Sequence, residues 1–95
     1  MKWGVLMPER NIHICNKLGL HARASAKLVS KAGSFSSEIM LIKENMEVNA
    51  KSIMGIMMLA ASKGTDLILK AEGDDAEEAL EAIEQLVNDR FGEES

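Results

Sequence analysis

Apolar and polar positions alternate along Asn11-Ile12-His13-Ile14-Cys15-Asn16, with Ile12 and Ile14 on one face. That period predicts a half-buried strand. Residues 17–20 read as a loop carrying Gly19. From Ala22 to Ala32 the period changes: Ser25, Leu28, Val29 and Ala32 recur at helical spacing, and Gly33 follows as a stop. Phe35 to Lys43 alternates again, with Phe35, Ser37, Ile39 and Leu41 on one face. Glu44-Asn45 is turn-forming, and Met46-Glu47-Val48 returns as a short third strand. Ser52 to Ala61 is expected to be a second helix, N-capped by Ser52 and closed by Lys63-Gly64. Asp66 to Ala71 forms a fourth strand. Glu72-Gly73-Asp74-Asp75 turns the chain into a third helix, where Ala76, Ala79, Leu80, Ile83, Leu86 and Val87 make an apolar stripe. Gly92 to Ser95 is expected to fray.

The order of elements is βαββαβα. Helices segregated to one face of an antiparallel sheet make an α+β fold, here an open-faced two-layer sandwich with four strands and three helices. The 95 residues make one domain, 1–95, with residues 1–8 as an N-terminal extension. Apolar residues at 46% and charged residues at 27% suit a globular chain. Met1 to Met7 has too short an apolar core for a signal peptide, and no apolar run reaches membrane-spanning length. A cytoplasmic monomer that does not insert into membranes is therefore expected.

Charge is unevenly placed. Residues 1–71 hold ten Lys/Arg against five Asp/Glu; residues 72–95 hold one Arg against ten Asp/Glu. The acidic end fits the solvent face of the third helix, and Asp74, Asp75, Glu77 and Glu78 suit its positive start. The basic remainder suits an acidic protein partner. Aromatics at 3% and the lack of an aromatic-interleaved basic cluster argue against nucleic acid.

Three groups of residues carry candidate chemistry. His21 sits where a helix begins, and first-turn N–H groups of Ala22, Arg23 and Ala24 have no partner inside that helix. Such a start binds anions, phosphate above all, and it disfavours a charged imidazolium, which keeps the ring nucleophilic. Arg23 adds a guanidinium. The plainer reading of His21 is a polar surface residue. Ser52 caps the second helix, and a phosphoserine there is compatible with the helix dipole. Ile53, Met54, Ile56, Met57 and Met58 cover more than one face of that helix, so they are either all core or partly an adaptable docking surface. His13 and Cys15 share a strand face, but two ligands without a second pair do not make a metal site. Cys15 reads as a small buried hydrophobe.

Asn16-Lys17-Leu18-Gly19-Leu20-His21-Ala22-Arg23, Asn49-Ala50-Lys51-Ser52-Ile53-Met54-Gly55-Ile56-Met57 and Ala60-Ala61-Ser62-Lys63-Gly64-Thr65 together resemble the HPr family, the histidine-containing phosphocarriers of the phosphoenolpyruvate-dependent phosphotransferase system. The likeness spans about residues 10–90. It implies a sheet order of 1-4-2-3. It implies that His21 takes a phosphoryl group on Nδ1 from phosphorylated enzyme I and passes it to an enzyme IIA domain, with Arg23 steadying the phosphate. It also implies regulatory phosphorylation of Ser52 by HPr kinase/phosphorylase, docking through Ile53, Met54 and Met57, and no cofactor or metal. One position departs: Ala24 stands where the family usually has Pro, a form that leans toward a nitrogen-branch carrier (NPr-like). A non-catalytic interaction module using the Met-rich helix is the reading from another class.

Overall fold

The structure, a computed structural model, describes residues 8–95. The expected extension over 1–8 lies, but for Pro8, outside the described residues. Four strands, β1 (Glu9–His13), β2 (Glu38–Lys43), β3 (Met46–Asn49) and β4 (Asp66–Glu72), form one antiparallel sheet in the order β1-β4-β2-β3. Three helices are interleaved with them: α1 (Ala22–Gly33), α2 (Ile53–Met58) and α3 (Ala76–Asn88). A 3₁₀ turn over Arg90–Gly92 closes the chain.

Register explains which sheet face is covered. Leu41 pairs with Leu69 on one side and Val48 on the other, and Ile39 pairs with Ala71. Ile12 pairs with Leu67. These apolar residues share one face because side chains alternate across a strand. The core joins them to Ala24, Leu28 and Ala32 of α1, Ile56 of α2, and Ala76, Ala79, Leu80, Ile83 and Val87 of α3. Arg10 fastens α3 over β1: its guanidinium donates to Glu84 at 2.6 Å and reaches Glu77 at 3.5 Å. The bond to Glu84 raises the pKa of Arg10 above its ordinary value.

Five expectations need correction. The first strand runs from Glu9 to His13 rather than from Asn11 to Asn16. The second strand starts at Glu38 rather than Phe35, because the Ser36 and Ser37 N–H groups donate to Asp75 at 2.9 and 3.0 Å instead of to a neighbouring strand. The second helix ends at Met58 rather than Ala61, since Ala60 turns left-handed (φ 52°) and Ala61 O accepts from Leu20 N at 2.9 Å. Cys15 is only half-buried, past the end of β1, with Sγ donating to Val87 O at 3.3 Å. Residues 92–95, expected to fray, lie packed back against the domain. Phe91 is buried, its carbonyl accepts from Lys27 Nζ at 2.7 Å, and Ser95 O accepts from Lys17 N at 2.9 Å. Burying one large aromatic ring and making these bonds offsets the entropy that would free the tail. Among the described residues no helix is long and apolar enough to cross a membrane.

Candidate functional site

A tight turn sets up the start of α1. Asn16 is fully buried and its Nδ2 donates to Gly19 O at 2.8 Å, while Gly19 N donates to Asn16 O at 3.2 Å. Gly19 takes φ 67°, a left-handed conformation that glycine adopts without steric cost. Leu20 then tucks into the core, and its carbonyl accepts from Ser25 Oγ at 3.1 Å. These bonds fix where the next residue must stand.

That residue is His21, and it is itself the N-cap of α1. Its backbone is extended (φ −74°, ψ −179°), and its carbonyl accepts the first helical bond, from Ser25 N at 2.8 Å. Its Nδ1 accepts from Arg23 N at 3.3 Å, as a capping side chain should. Histidine is not a preferred cap, so helix stability alone does not account for this residue at the position.

The opposite ring nitrogen has a partner that the sequence reading missed. His21 Nε2 lies 2.5 Å from Glu93 Oε2, and Asn16 Nδ2 donates to Glu93 Oε1 at 3.0 Å. The Glu93 carboxyl is held below its usual pKa, first by the Asn16 bond and then by His21. A sequence signal for this did exist: Ile83, Val87 and Phe91 continue at a spacing of four, which marks Phe91 as a core anchor carrying the tail back toward His21.

His21, Ala22, Arg23, Lys17, Leu18, Glu93, Glu94 and Ser95 line one open cleft of about 590 Å³. Arg23 is exposed at its edge. The cleft therefore combines a helix start and two cations, Lys17 and Arg23, with a ring nitrogen whose lone pair faces the Arg23 N–H, a set suited to an incoming dianion on the side away from the Glu93 and Glu94 carboxylates.

The second helix sorts its apolar residues cleanly. Ile56 is fully buried, whereas Ile53, Met54, Met57 and Met58 are 42%, 73%, 43% and 65% exposed. Leu18, in the turn before His21, is 66% exposed. The loop after α2 reaches that same turn through the bond from Leu20 N to Ala61 O. Ser52 is the N-cap of α2, its Oγ accepting from Gly55 N at 3.1 Å. His13 and Cys15 do not converge: His13 Nδ1 sits 2.7 Å from Asp66 Oδ1, and Cys15 faces α3. Among the described residues no group of three or more potential metal ligands occurs.

Comparisons with known proteins identify the family. Residues 8–89 match the family described as "PTS HPr component phosphorylation site". The chain is 51% identical over 87 residues to phosphocarrier protein HPr of Cupriavidus necator, covering 92% of this chain and 98% of the relative. It is 44% identical over 87 residues to phosphocarrier protein NPr of Shewanella violacea, covering 92% and 96%. Among solved structures, HPr-C-His from Thermoanaerobacter tengcongensis superposes with a TM-score of 0.91 at 54% identity, over 94% of this chain and 100% of that one. The sheet order and the three helices are those of this fold. The chain belongs to the HPr family, the phosphocarrier proteins of the phosphotransferase system. Such a protein carries a phosphoryl group and is not an enzyme in its own right.

Proposed function

We propose that His21 takes a phosphoryl group on Nδ1 from phosphorylated enzyme I in the cytoplasm and hands it to an enzyme IIA domain. One observation carries the reading: His21 lines the cleft at the start of a twelve-residue helix, and its Nδ1 carries a lone pair, held at 3.3 Å by the Arg23 N–H. The lone pair attacks phosphorus, and the bond from phosphorus to the donor's nitrogen breaks. The bound phosphate then meets first-turn N–H groups of Ala22, Arg23 and Ala24 and the Arg23 guanidinium. Each helix-start contact is worth about 0.3–1 kcal/mol at a surface. That suits a carrier, because strong stabilisation would trap the group.

Leu18, Ile53, Met54, Met57 and Met58 supply the docking surface in this reading. Methionine is flexible and polarizable, so one such surface can fit an enzyme I and several enzyme IIA domains. HPr kinase/phosphorylase is the partner expected at Ser52. A phosphate there would act on docking rather than on His21 directly. At a separation of about 10 Å two doubly charged groups repel by roughly 1–2 kcal/mol in water, and less in salt. Desolvating a phosphate beside Ile53 and Met54 would cost several kcal/mol.

Incubation with enzyme I and labelled phosphoenolpyruvate tests the reading. Acid-labile label in the wild type, lost in His21→Ala, is the expected result; absence of label would overturn it. A nitrogen-branch carrier is the second reading, carried by Ala24 and by the similarity to NPr. Offering the phosphorylated protein to enzyme IIA domains of both branches separates the two.

A further inference from the structure

We propose that Glu93 is a positioning residue that keeps one proton on Nε2 of His21 through both phosphoryl transfers, so that the group arrives and leaves without proton exchange with water. The inference rests on the phosphocarrier reading of His21 and deepens it.

Two neighbours assign the ring's tautomer independently. Glu93 Oε2 stands 2.5 Å from Nε2, and an ionised carboxylate only accepts, so Nε2 carries the hydrogen. Arg23 N–H donates to Nδ1 from the other side, so Nδ1 carries the lone pair. The carboxylate is itself held. Its second oxygen accepts from buried Asn16, its backbone N donates to Arg90 O at 2.9 Å, and the side chain is only 17% exposed. Depression of its pKa keeps it an acceptor down to low pH. Arg90, Phe91 and Gly92 are all left-handed (φ 56°, 56° and 78°), and this bend delivers Glu93 to the ring. A free tail would not select such a backbone.

The transfers then balance as follows. The Nδ1 lone pair forms a bond to phosphorus as the donor's nitrogen–phosphorus bond breaks. The ring becomes a phosphoimidazolium, with its positive charge shared with Nε2–H and set against Glu93. On discharge the electrons of the nitrogen–phosphorus bond return to Nδ1, and neutral imidazole leaves with Nε2–H still in place. Without the carboxylate the phosphorylated ring gives up that proton more readily, and imidazolate, a poor leaving group, would have to depart. Other charges facing the pair are Lys17 from the preceding turn, Arg23 and Lys27 from α1, and Glu94 from the tail. Glu93 alone among them touches Nε2.

The test compares wild type, Glu93→Gln and Glu93→Ala, each ¹⁵N-labelled. In the unphosphorylated proteins, ring ¹⁵N shifts should report hydrogen on Nε2 in wild type and in Glu93→Gln, whose amide oxygen still accepts, and a tautomer mixture in Glu93→Ala. After charging with enzyme I and phosphoenolpyruvate, the pH at which the ring loses its proton should fall by about one unit in both variants, a tenfold change. Transfer to enzyme IIA should slow correspondingly above that pH and recover below it. An Nδ1–H tautomer in the wild type, or an unchanged titration and transfer profile in both variants, would overturn the proposal. A purely structural role for Glu93 would shift melting temperature without moving that profile. If the wild type shows hydrogen on Nε2 yet takes no phosphate from enzyme I, the carrier reading falls, and the transfer role of Glu93 falls with it.

Discussion

Replacing Gly19 by alanine should damage both stability and the site, and the size of the effect follows from two separable causes. A Cβ at this position would lie 2.5 Å from Ala61 O and 2.8 Å from Ser62 Cα, both backbone atoms that no rotamer change can move aside. The φ of 67° adds a torsional penalty of about 1–2 kcal/mol for a residue with a Cβ. Relieving the clash means parting the 17–20 turn from the 60–62 loop. That sacrifices the 2.9 Å bond from Leu20 N to Ala61 O, about 0.5–1.5 kcal/mol. The total is about 1.5–3.5 kcal/mol, a large share of the 5–15 kcal/mol typical of a whole domain. Melting temperature should fall by roughly 6–28 °C, read by circular dichroism. Two other glycines calibrate the argument. Gly64→Ala carries only the torsional cost, because φ is 93° and no atom lies within 4 Å of the new Cβ. Gly33→Ala, at the end of α1 with open space and no positive φ, should be neutral or stabilising by up to about 1 kcal/mol. If Gly19→Ala costs no more than Gly64→Ala, the steric reasoning is refuted.

Asp75 provides a pH test. The Ser37 hydroxyl first, and then the Ser36 N–H, lower its pKa from 3.8 to about 2. A depressed folded value contributes stability that is fully present above the unfolded pKa and is lost as pH falls through about 2. The melting-temperature gap between wild type and Ser37→Ala should therefore be widest above pH ~4 and close toward pH ~2; a gap independent of pH would count against the Ser37–Asp75 account. Ser52→Ala should destabilise by about 1 kcal/mol in urea titration through loss of the α2 cap. Ser52→Asp should instead weaken enzyme I association, measured calorimetrically, and a normal affinity with a slower chemical step would contradict the docking explanation. Ala24→Pro should leave uptake from enzyme I intact, since a first-turn N–H has no helical partner to lose, but change the phosphohistidine lifetime. An unchanged hydrolysis rate of the label would sink that expectation.

Local periods made most of the fold legible. The stripe from Ala76 to Val87 specified α3, and the alternation of Ile39/Leu41 and Leu67/Leu69 specified the buried sheet face. The errors fall where distant chain segments take over backbone groups. Phe35 to Ser37 has strand-like alternation, but Asp75, on the far side of β4, claims the amides of Ser36 and Ser37. The apolar pattern of α2 runs on to Ala61, but the helix stops at Met58 because Ala61 O serves the loop before α1, some forty residues earlier in the chain. His21 and Arg23 were visible as neighbours at a helix start. Glu93 was legible only in part: the spacing of Ile83, Val87 and Phe91 marks an anchor that turns the tail back, but no local pattern says which tail side chain will face the His21 ring. Whether the Met-rich helix was core or surface also needed the fold, which buries Ile56 and leaves its neighbours outside.

The sheet order bears on how the molecule assembles. β4 lies between β1 and β2, so β1 has no sheet neighbour until residues 66–72 are available. At His13↔Asp66 the pairing closes 53 residues of chain. The β2–β3 hairpin and α1 can form from local contacts, but the turn holding His21 is tied to β1 and to the loop that precedes β4. Long-range pairings of this kind slow folding, a property of high contact order, and the histidine site is complete only once the loop before β4 and the tail carrying Glu93 are both in place.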